Sequence, residues 1–298
     1  MSPQKEKQLV LLSVRLPYEE ARKVYEELTG QSAGRMTAHR SVQRLGQVLR
    51  KNKKAIPMQQ AAKDSTHITG DGAMIHFRDE GWKEVKVGGC YKVDEERRAR
   101  EIVYTATVKS REQFGEQLYA LSGNLEMAQT QKLAFIADGA EWLTEIQKLH
   151  FPGSTRIVDF WHVTEYVWDV AGCFYGEGTL RGRKWAETKI KLLMQGRWNA
   201  ILKSLAHLHP KNNEQQETLE KTKTYFQNQG IYMNYPRYKR LGFHIGSGVA
   251  EGACKHVLQA RFKQAGMRWS KEGAENLLQL RVSYLNQGSI SIPDCSLN

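Results

Sequence analysis

The sequence predicts an α/β protein: an RNase H-like mixed sheet with flanking helices, an all-helical insertion and a helix-turn-helix-like segment in front. Three observations predict it. Near Thr66 the apolar pattern switches from a helical period to a period of two and holds it through three successive runs. A helix, strand, helix, strand succession follows. After His162 the β signal then vanishes for roughly 80 residues before a glycine-rich turn and further helices.

Taken in order, residues 1–62 read as helical. Pro17 opens a segment in which Ala21, Val24, Tyr25 and Leu28 recur at helical spacing, and Gly30 ends it. A second helix begins near Thr37 with Val42, Leu45, Val48 and Leu49 on one face and Arg40, Arg44, Gln47 and Lys51 on the other. Helix, glycine turn, basic helix is the outline of a DNA-reading helix pair, and equally of an ordinary pair with a solvated face. LRKNKKAIPMQQ reads as a linker.

Residues 63–165 hold the first part of the sheet. HITGDGAMIHF, WKEVKVGGCYKV and EIVYTATV alternate as strands, and residues 111–128 form an amphipathic helix with Phe114, Leu118, Leu121 and Leu125 on one side. KLAFIADGA is a buried strand, EWLTEIQKL a helix and TRIVDFWH a last strand. Three strands, helix, strand, helix, strand is the succession of an RNase H-like domain. Residues 166–244 form the helical insertion, rich in Lys, Arg and aromatics. Residues 245–290 return to the core with a helix from about Val249 to Lys263 and another at EGAENLLQLRVSYLN, and 291–298 are a tail.

The 298 residues carry 44 Lys and Arg against 32 Asp and Glu, a formal net charge of +12. That excess suits a polyanionic partner, because basic side chains release counterions from phosphate backbones; a merely basic surface has the same count. No apolar run reaches the ~20 residues that span a bilayer, and no small-residue cleavage site follows the N-terminal apolar stretch, so a cytoplasmic location is expected. Cys90, Cys173, Cys254 and Cys295 are too far apart for a paired-cysteine zinc or redox site and are expected as free thiols.

The chemistry-bearing motif is the tripeptide DGA, at Asp71-Gly72-Ala73 and again at Asp138-Gly139-Ala140. Each aspartate ends or interrupts a strand-like run. The glycine beside it leaves room for close approach to a cation and a phosphate, although an Asp before Gly is also a common turn former. Glu251 lies just inside a helix introduced by Gly246-Ser247-Gly248, with Lys255 one turn beyond it as a partner for an i, i+4 ion pair or a contact for a phosphate.

With LPYEEARKVYEELTG, GDGAMIH, GWKEVKVGGCY, FIADGAEWL, IVDFWHVTEY, GSGVAEGACKHV and GMRWS in this order, the chain resembles bacterial insertion-sequence transposases of the Kra-type group, within the Mutator-like DDE superfamily. The resemblance runs from about Leu16 to Arg281. It implies an RNase H-like catalytic domain in which Asp71, Asp138 and Glu251 bind Mg2+ or Mn2+ and cut and join DNA. The family's acid-or-cysteine, two residues, histidine signature falls on Asp159 and His162, implying that this pair positions DNA or supports the site. Arg261, Lys263, Arg268 and Trp269 suit phosphate contact and base stacking, and equally suit ordinary surface charge and a core tryptophan.

The implied partners are double-stranded DNA, both the element's terminal inverted repeats and its target, and further copies of the chain on that DNA, in a bacterial nucleoid-associated setting. The N-terminus is shorter than in many such enzymes, and Gly70 and Gly252 depart from the pattern beside the acids. These departures keep two alternatives in view: a non-catalytic DNA-binding relative, and another RNase H-like nuclease. The charge excess predicts that affinity for DNA drops at least tenfold between about 50 and about 200 mM salt, the fall expected for two or more phosphate contacts. A fluorescence-anisotropy titration with a flat salt response counts against a DNA partner.

Overall fold

The structure, a computed structural model, describes residues 1–51, 65–122 and 132–290. Three helices come first: α1 (Pro3–Ser13), α2 (Tyr18–Thr29) and α3 (Arg35–Lys51). Gly30 closes α2 in the left-handed conformation (φ 64°), as the glycine turn in the sequence predicts. Of the linker segment, residues 49–51 are the end of α3 and the remainder lies outside the described residues.

The sheet is built from β1 (Ser65–Phe77), β2 (Gly81–Val93), β3 (Ala99–Thr107), β4 (Leu133–Ala137) and β5 (Thr155–Val158), in the order β3-β2-β1-β4-β5. β1, β2 and β3 are antiparallel, whereas β4 and β5 join β1 in parallel. Between them run α4 (Arg111–Leu121) and α5 (Glu141–His150). The predicted continuation of α4 to residue 128 lies outside the described residues. The last predicted strand, TRIVDFWH, is cut short at Val158: Asp159 caps a helix, so His162 sits in the first turn of α6 (Phe160–Tyr175) and not on a strand.

Alternation along the strands decides which layer each side chain enters. On β4, Leu133, Phe135 and Ala137 face α4 and α5 with Phe114, Leu118, Leu143 and Ile146. Ala134 and Ile136 face the other way, into the core of the helical insertion. On β1, Ala73, Ile75 and Phe77 face a cluster with Val257, Leu258, Leu277 and Leu278. That cluster also contains Val10, Val14, Val42 and Leu45, so the N-terminal helices share the core of the sheet.

The insertion comprises α6, α7 (Leu180–Met194), α8 (Trp198–Ala206), α9 (Asn213–Gln229) and α10 (Tyr235–Arg240). α7 and α8, a single helical run by periodicity, are separated at Gly196, whose φ of 72° breaks the helix. The chain returns through α11 (Gly248–Ala253), a π-helical turn at Cys254–Gln259, α12 (Ala260–Phe262) and α13 (Lys271–Gln287).

Two buried arginines tie the N-terminal helices to this return. Arg261 donates from Nε to the Ser13 carbonyl (3.0 Å) and lies over the rings of Tyr18 and Trp269. Arg281 donates to the carbonyls of His256 and Val257 (3.0 and 2.9 Å) in the π-helical turn and to the carbonyl of Val14. Its burial, with Arg261 and Arg15 nearby, lowers its pKa to about 10, which still leaves it charged at neutral pH. The widened turn and the end of α1 leave carbonyls without helical partners, and one guanidinium satisfies both.

His67 on β1 makes the corresponding tie on the other side. It is fully buried, stacks on Tyr91 at 5.0 Å, and its Nε2 accepts the backbone N–H of His244 (3.0 Å), just after the insertion. Burial, reinforced by His244, lowers its pKa to about 3, so it is neutral in the folded chain. The unfolded chain takes up this proton near pH 6.5, so stability is lost as pH falls from about 6.5 toward 3. His67→Gln, which keeps an acceptor for His244, is expected to flatten that loss by about 1–2 kcal/mol at about pH 5. Urea unfolding of both proteins across this window measures it; parallel pH curves refute the assignment.

Candidate active site

Asp71 and Asp138 are brought together by strand register. β1 and β4 pair in parallel with Thr69 opposite Ile136, and the same offset carried two residues further sets Asp71 opposite Asp138. Asp71 shares the face of Ala73, and Asp138 continues the face of Ile136, so both point toward the side covered by the C-terminal helices and the insertion. Asp71 lies in mid-strand, because β1 continues to Phe77.

Each carboxylate has local donors. Asp71 Oδ1 accepts the Gly72 N–H (2.7 Å), and Oδ2 accepts the Cys254 thiol (3.0 Å). Asp138 Oδ1 accepts the Ala140 N–H (2.8 Å). Burial pushes the Asp138 carboxyl above the usual carboxylate range. The Ala140 N–H and nearby His162 oppose the shift, while the negative charges of Asp71 and Asp159 add to it. Burial and Asp71 likewise push the Cys254 thiol up, so it remains a donor.

Asp138 also has a backbone anchor from the insertion. Tyr225 on α9 donates its hydroxyl to the Asp138 carbonyl (2.6 Å), and Gln229 Nε2 donates to the Gly139 carbonyl (3.1 Å). Gly139 has φ 98°, and a Cβ there would meet Gln229 and Tyr225 at 3.2–3.3 Å. The second DGA glycine is therefore favoured by its conformation, and a side chain there would also crowd Gln229 and Tyr225.

Asp159, expected to position DNA or support the site, is buried and caps α6, accepting the N–H groups of Trp161 (2.7 Å) and His162 (3.2 Å) on Oδ1. Its Oδ2 accepts the Ser247 N–H (2.6 Å) and the Ser247 hydroxyl. Phe160 N–H bonds the Ile245 carbonyl (2.8 Å), and a Cβ on Gly246 would sit 2.7 Å from the Trp161 ring. The glycine-rich turn that opens α11 is thus fastened to the start of α6. His162 lies half-buried against Tyr166 and Tyr225, with Nδ1 3.0 Å from Glu165.

Glu251 is exposed on α11, one turn before Cys254, whose thiol meets Asp71. The i, i+4 pair with Lys255 is not among the ion pairs of the described residues. Both side chains are exposed, and the helix widens from Cys254 onward, which takes Lys255 out of α-helical alignment. Among the described residues, no group of three or more His, Cys, Asp or Glu side chains is placed to hold a metal ion. The aspartate pair fits a hard cation by donor chemistry; the three-acid set is not closed around one.

Of the candidate DNA contacts, Arg40, Arg44, Lys51, Lys255, Lys263 and Arg268 are exposed, and Arg44 pairs with Glu6. Arg261 is corrected to the core, and Trp269 is the core tryptophan that the sequence left open. Arg261 is inaccessible, and Trp269, 8% exposed, packs on Phe262 at 4.9 Å and donates Nε1 to its carbonyl (3.2 Å). Sequence reading missed Tyr225, Gln229, Ser247 and Cys254 as site residues. Cys254 alone carried a signal, its spacing of one helical turn from Glu251.

A half-buried carboxylate with a raised pKa beside a second acid destabilises the metal-free fold when ionised. Asp138→Asn retains the acceptor for Ala140 and removes that charge. It is expected to raise the melting temperature at neutral pH by about 2 °C or more, the size of shift that ~1 kcal/mol gives at this chain length. The gain should shrink as pH falls and Asp138 takes up its proton. A thermal melt showing no gain at neutral pH removes the repulsion.

No curated protein matches this chain. A family model described as "Uncharacterised protein family (UPF0236)" matches residues 32–292, which takes in all three acids, Asp159 and His162, the insertion and α13. By that match the chain belongs to the UPF0236 family.

Proposed function

We propose that this chain is a DNA transposase that binds insertion-sequence ends and cuts and joins DNA through Asp71, Asp138 and Glu251. The observation that carries the reading is that the parallel register of β1 and β4 brings Asp138, just past the end of β4, beside Asp71, facing the helix that bears Glu251. Two repelling carboxylates held side by side at the C-terminal end of β4 suit divalent cation binding better than a structural role.

In this reading Asp71 and Asp138 hold Mg2+ or Mn2+, and Glu251 comes over the pair when DNA is bound. Such ions polarise the scissile phosphate and stabilise the departing oxygen. The chain's own groups do the positioning. Asp159 and Ser247 fix the start of α11, Cys254 ties the helix to Asp71, and Tyr225 holds the Asp138 loop. The exposed Arg40, Arg44, Lys51, Lys255, Lys263 and Arg268 supply phosphate contacts along the duplex. Synapsis of two ends requires at least two copies of the chain on DNA.

The unclosed acid set favours a second reading, a DNA-binding relative without catalysis. A cleavage and strand-transfer assay with Mg2+ or Mn2+ on DNA carrying the element's own ends separates the two. The transposase reading expects cutting and joining by the unaltered chain. It also expects a loss of at least ~1000-fold in Asp71→Asn, Asp138→Asn and Glu251→Gln with DNA affinity retained, in line with the several kcal/mol a ligand of a catalytic ion supplies. Binding without cutting under either metal selects the non-catalytic reading. Cutting without any joining of 3′-ends selects an RNase H-like nuclease.

A further inference from the structure

We propose that Tyr225, on α9 of the insertion, is a positioning residue for Asp138, so that the helical insertion forms one wall of the active site. The inference rests on the metal-binding role given to Asp138 above and adds a device that controls it. Asp138 lies beyond the last ladder pair of β4, where the sheet no longer holds the backbone. The next residue, Gly139, is in a conformation with little intrinsic preference of its own (φ 98°). Left to itself, such a loop would let the carboxylate drift away from Asp71, the direction in which their repulsion pushes it.

Two α9 side chains oppose that drift. The Tyr225 hydroxyl holds the Asp138 carbonyl at 2.6 Å, and the Gln229 amide holds the next carbonyl along, that of Gly139, at 3.1 Å. Both side chains are themselves braced. Tyr225 stacks on Tyr166 of α6 with centroids 4.0 Å apart and planes 14° from parallel. Gln229 accepts from Arg156 of β5 (2.9 Å), whose guanidinium lies over Tyr232. On the outer side of the stack, Lys221 lies 5.2 Å from the Tyr166 ring and is exposed. A continuous set of contacts therefore runs from a surface cation on the insertion, through two stacked rings, to the backbone of a metal-binding residue. Whatever shifts α9 shifts Asp138.

The test is Tyr225→Phe, which keeps the ring and its stack and removes only the hydroxyl. Two measurements read it without relying on turnover. The first is hydrogen–deuterium exchange at the Ala140 amide, which bonds the Asp138 side chain. The second is the Mn2+ concentration that half-saturates the chain bound to DNA, read by EPR of the free ion. Loss of one hydrogen bond corresponds to roughly three- to tenfold in each, with exchange in α9 and β4 unchanged. Gln229→Ala should move both in the same direction.

An unchanged Ala140 amide, or an unchanged Mn2+ half-saturation, overturns the proposal. So does exchange that quickens throughout α9, which would make Tyr225 a general support of the insertion. A wild-type chain that takes up Mn2+ on DNA but never cuts defeats the transposase reading and leaves these two measurements to judge Tyr225.

Discussion

Two carboxylates, one within β1 and one just past the end of β4, come side by side, and much of the site can be understood as a response to their repulsion. The constraint starts from register: with Thr69 facing Ile136, the same offset brings Asp138, just past the end of β4, beside Asp71. One acid is held by a thiol from the helix of Glu251, the other by its own loop amide and by a tyrosine from the insertion. A third acid, Asp159, stays out of the pair because four donors occupy it. Donors are thus supplied to each carboxylate in turn, leaving the shared space between Asp71 and Asp138 as the place where negative charge is least compensated.

The same arrangement explains why the chain leaves the sheet for some 80 residues and returns. α6 begins at Asp159, immediately after the last strand, and α11 begins at Ser247, immediately after the insertion, and the two starts are bonded to each other. The insertion is a closed loop in space, its entry and exit pinned by one carboxylate. Its apolar core, with Val163, Leu193, Leu219 and Phe226, is shared with Ala134, Ile136 and Ile157 of the sheet and makes it a packed layer and not a tether.

The order of elements was legible because strand and helix periods differ and because β4, though buried on both faces, is short and bounded by turns. The two DGA motifs were legible as candidates. Their meeting was not, since an aspartate in β1 and another after β4 become neighbours only through a parallel pairing that local pattern does not encode. Tyr225 and Asp138 are 87 residues apart and joined through a backbone carbonyl, which leaves no trace in side-chain chemistry. Arg261 shows the reverse case. It shares a helical face with Cys254, Val257 and Leu258, all buried, so the spacing pointed inward while the charge pointed outward. Its stacking between Tyr18 and Trp269, with an acceptor at Ser13, decided for burial.

The two arginines that meet the end of α1 make the C-terminal helices depend on the first helix of the chain. Here the carbonyls of Ser13 and Val14 are the acceptors for Arg261 and Arg281, which sit among the helices behind the acids. Removing the first fourteen residues takes from Arg261 its Ser13 acceptor and from Arg281 its Val14 acceptor, and opens the space filled by Val10 and Val14. A deletion at that end is therefore not a local change, because the packing of the C-terminal helices goes with it.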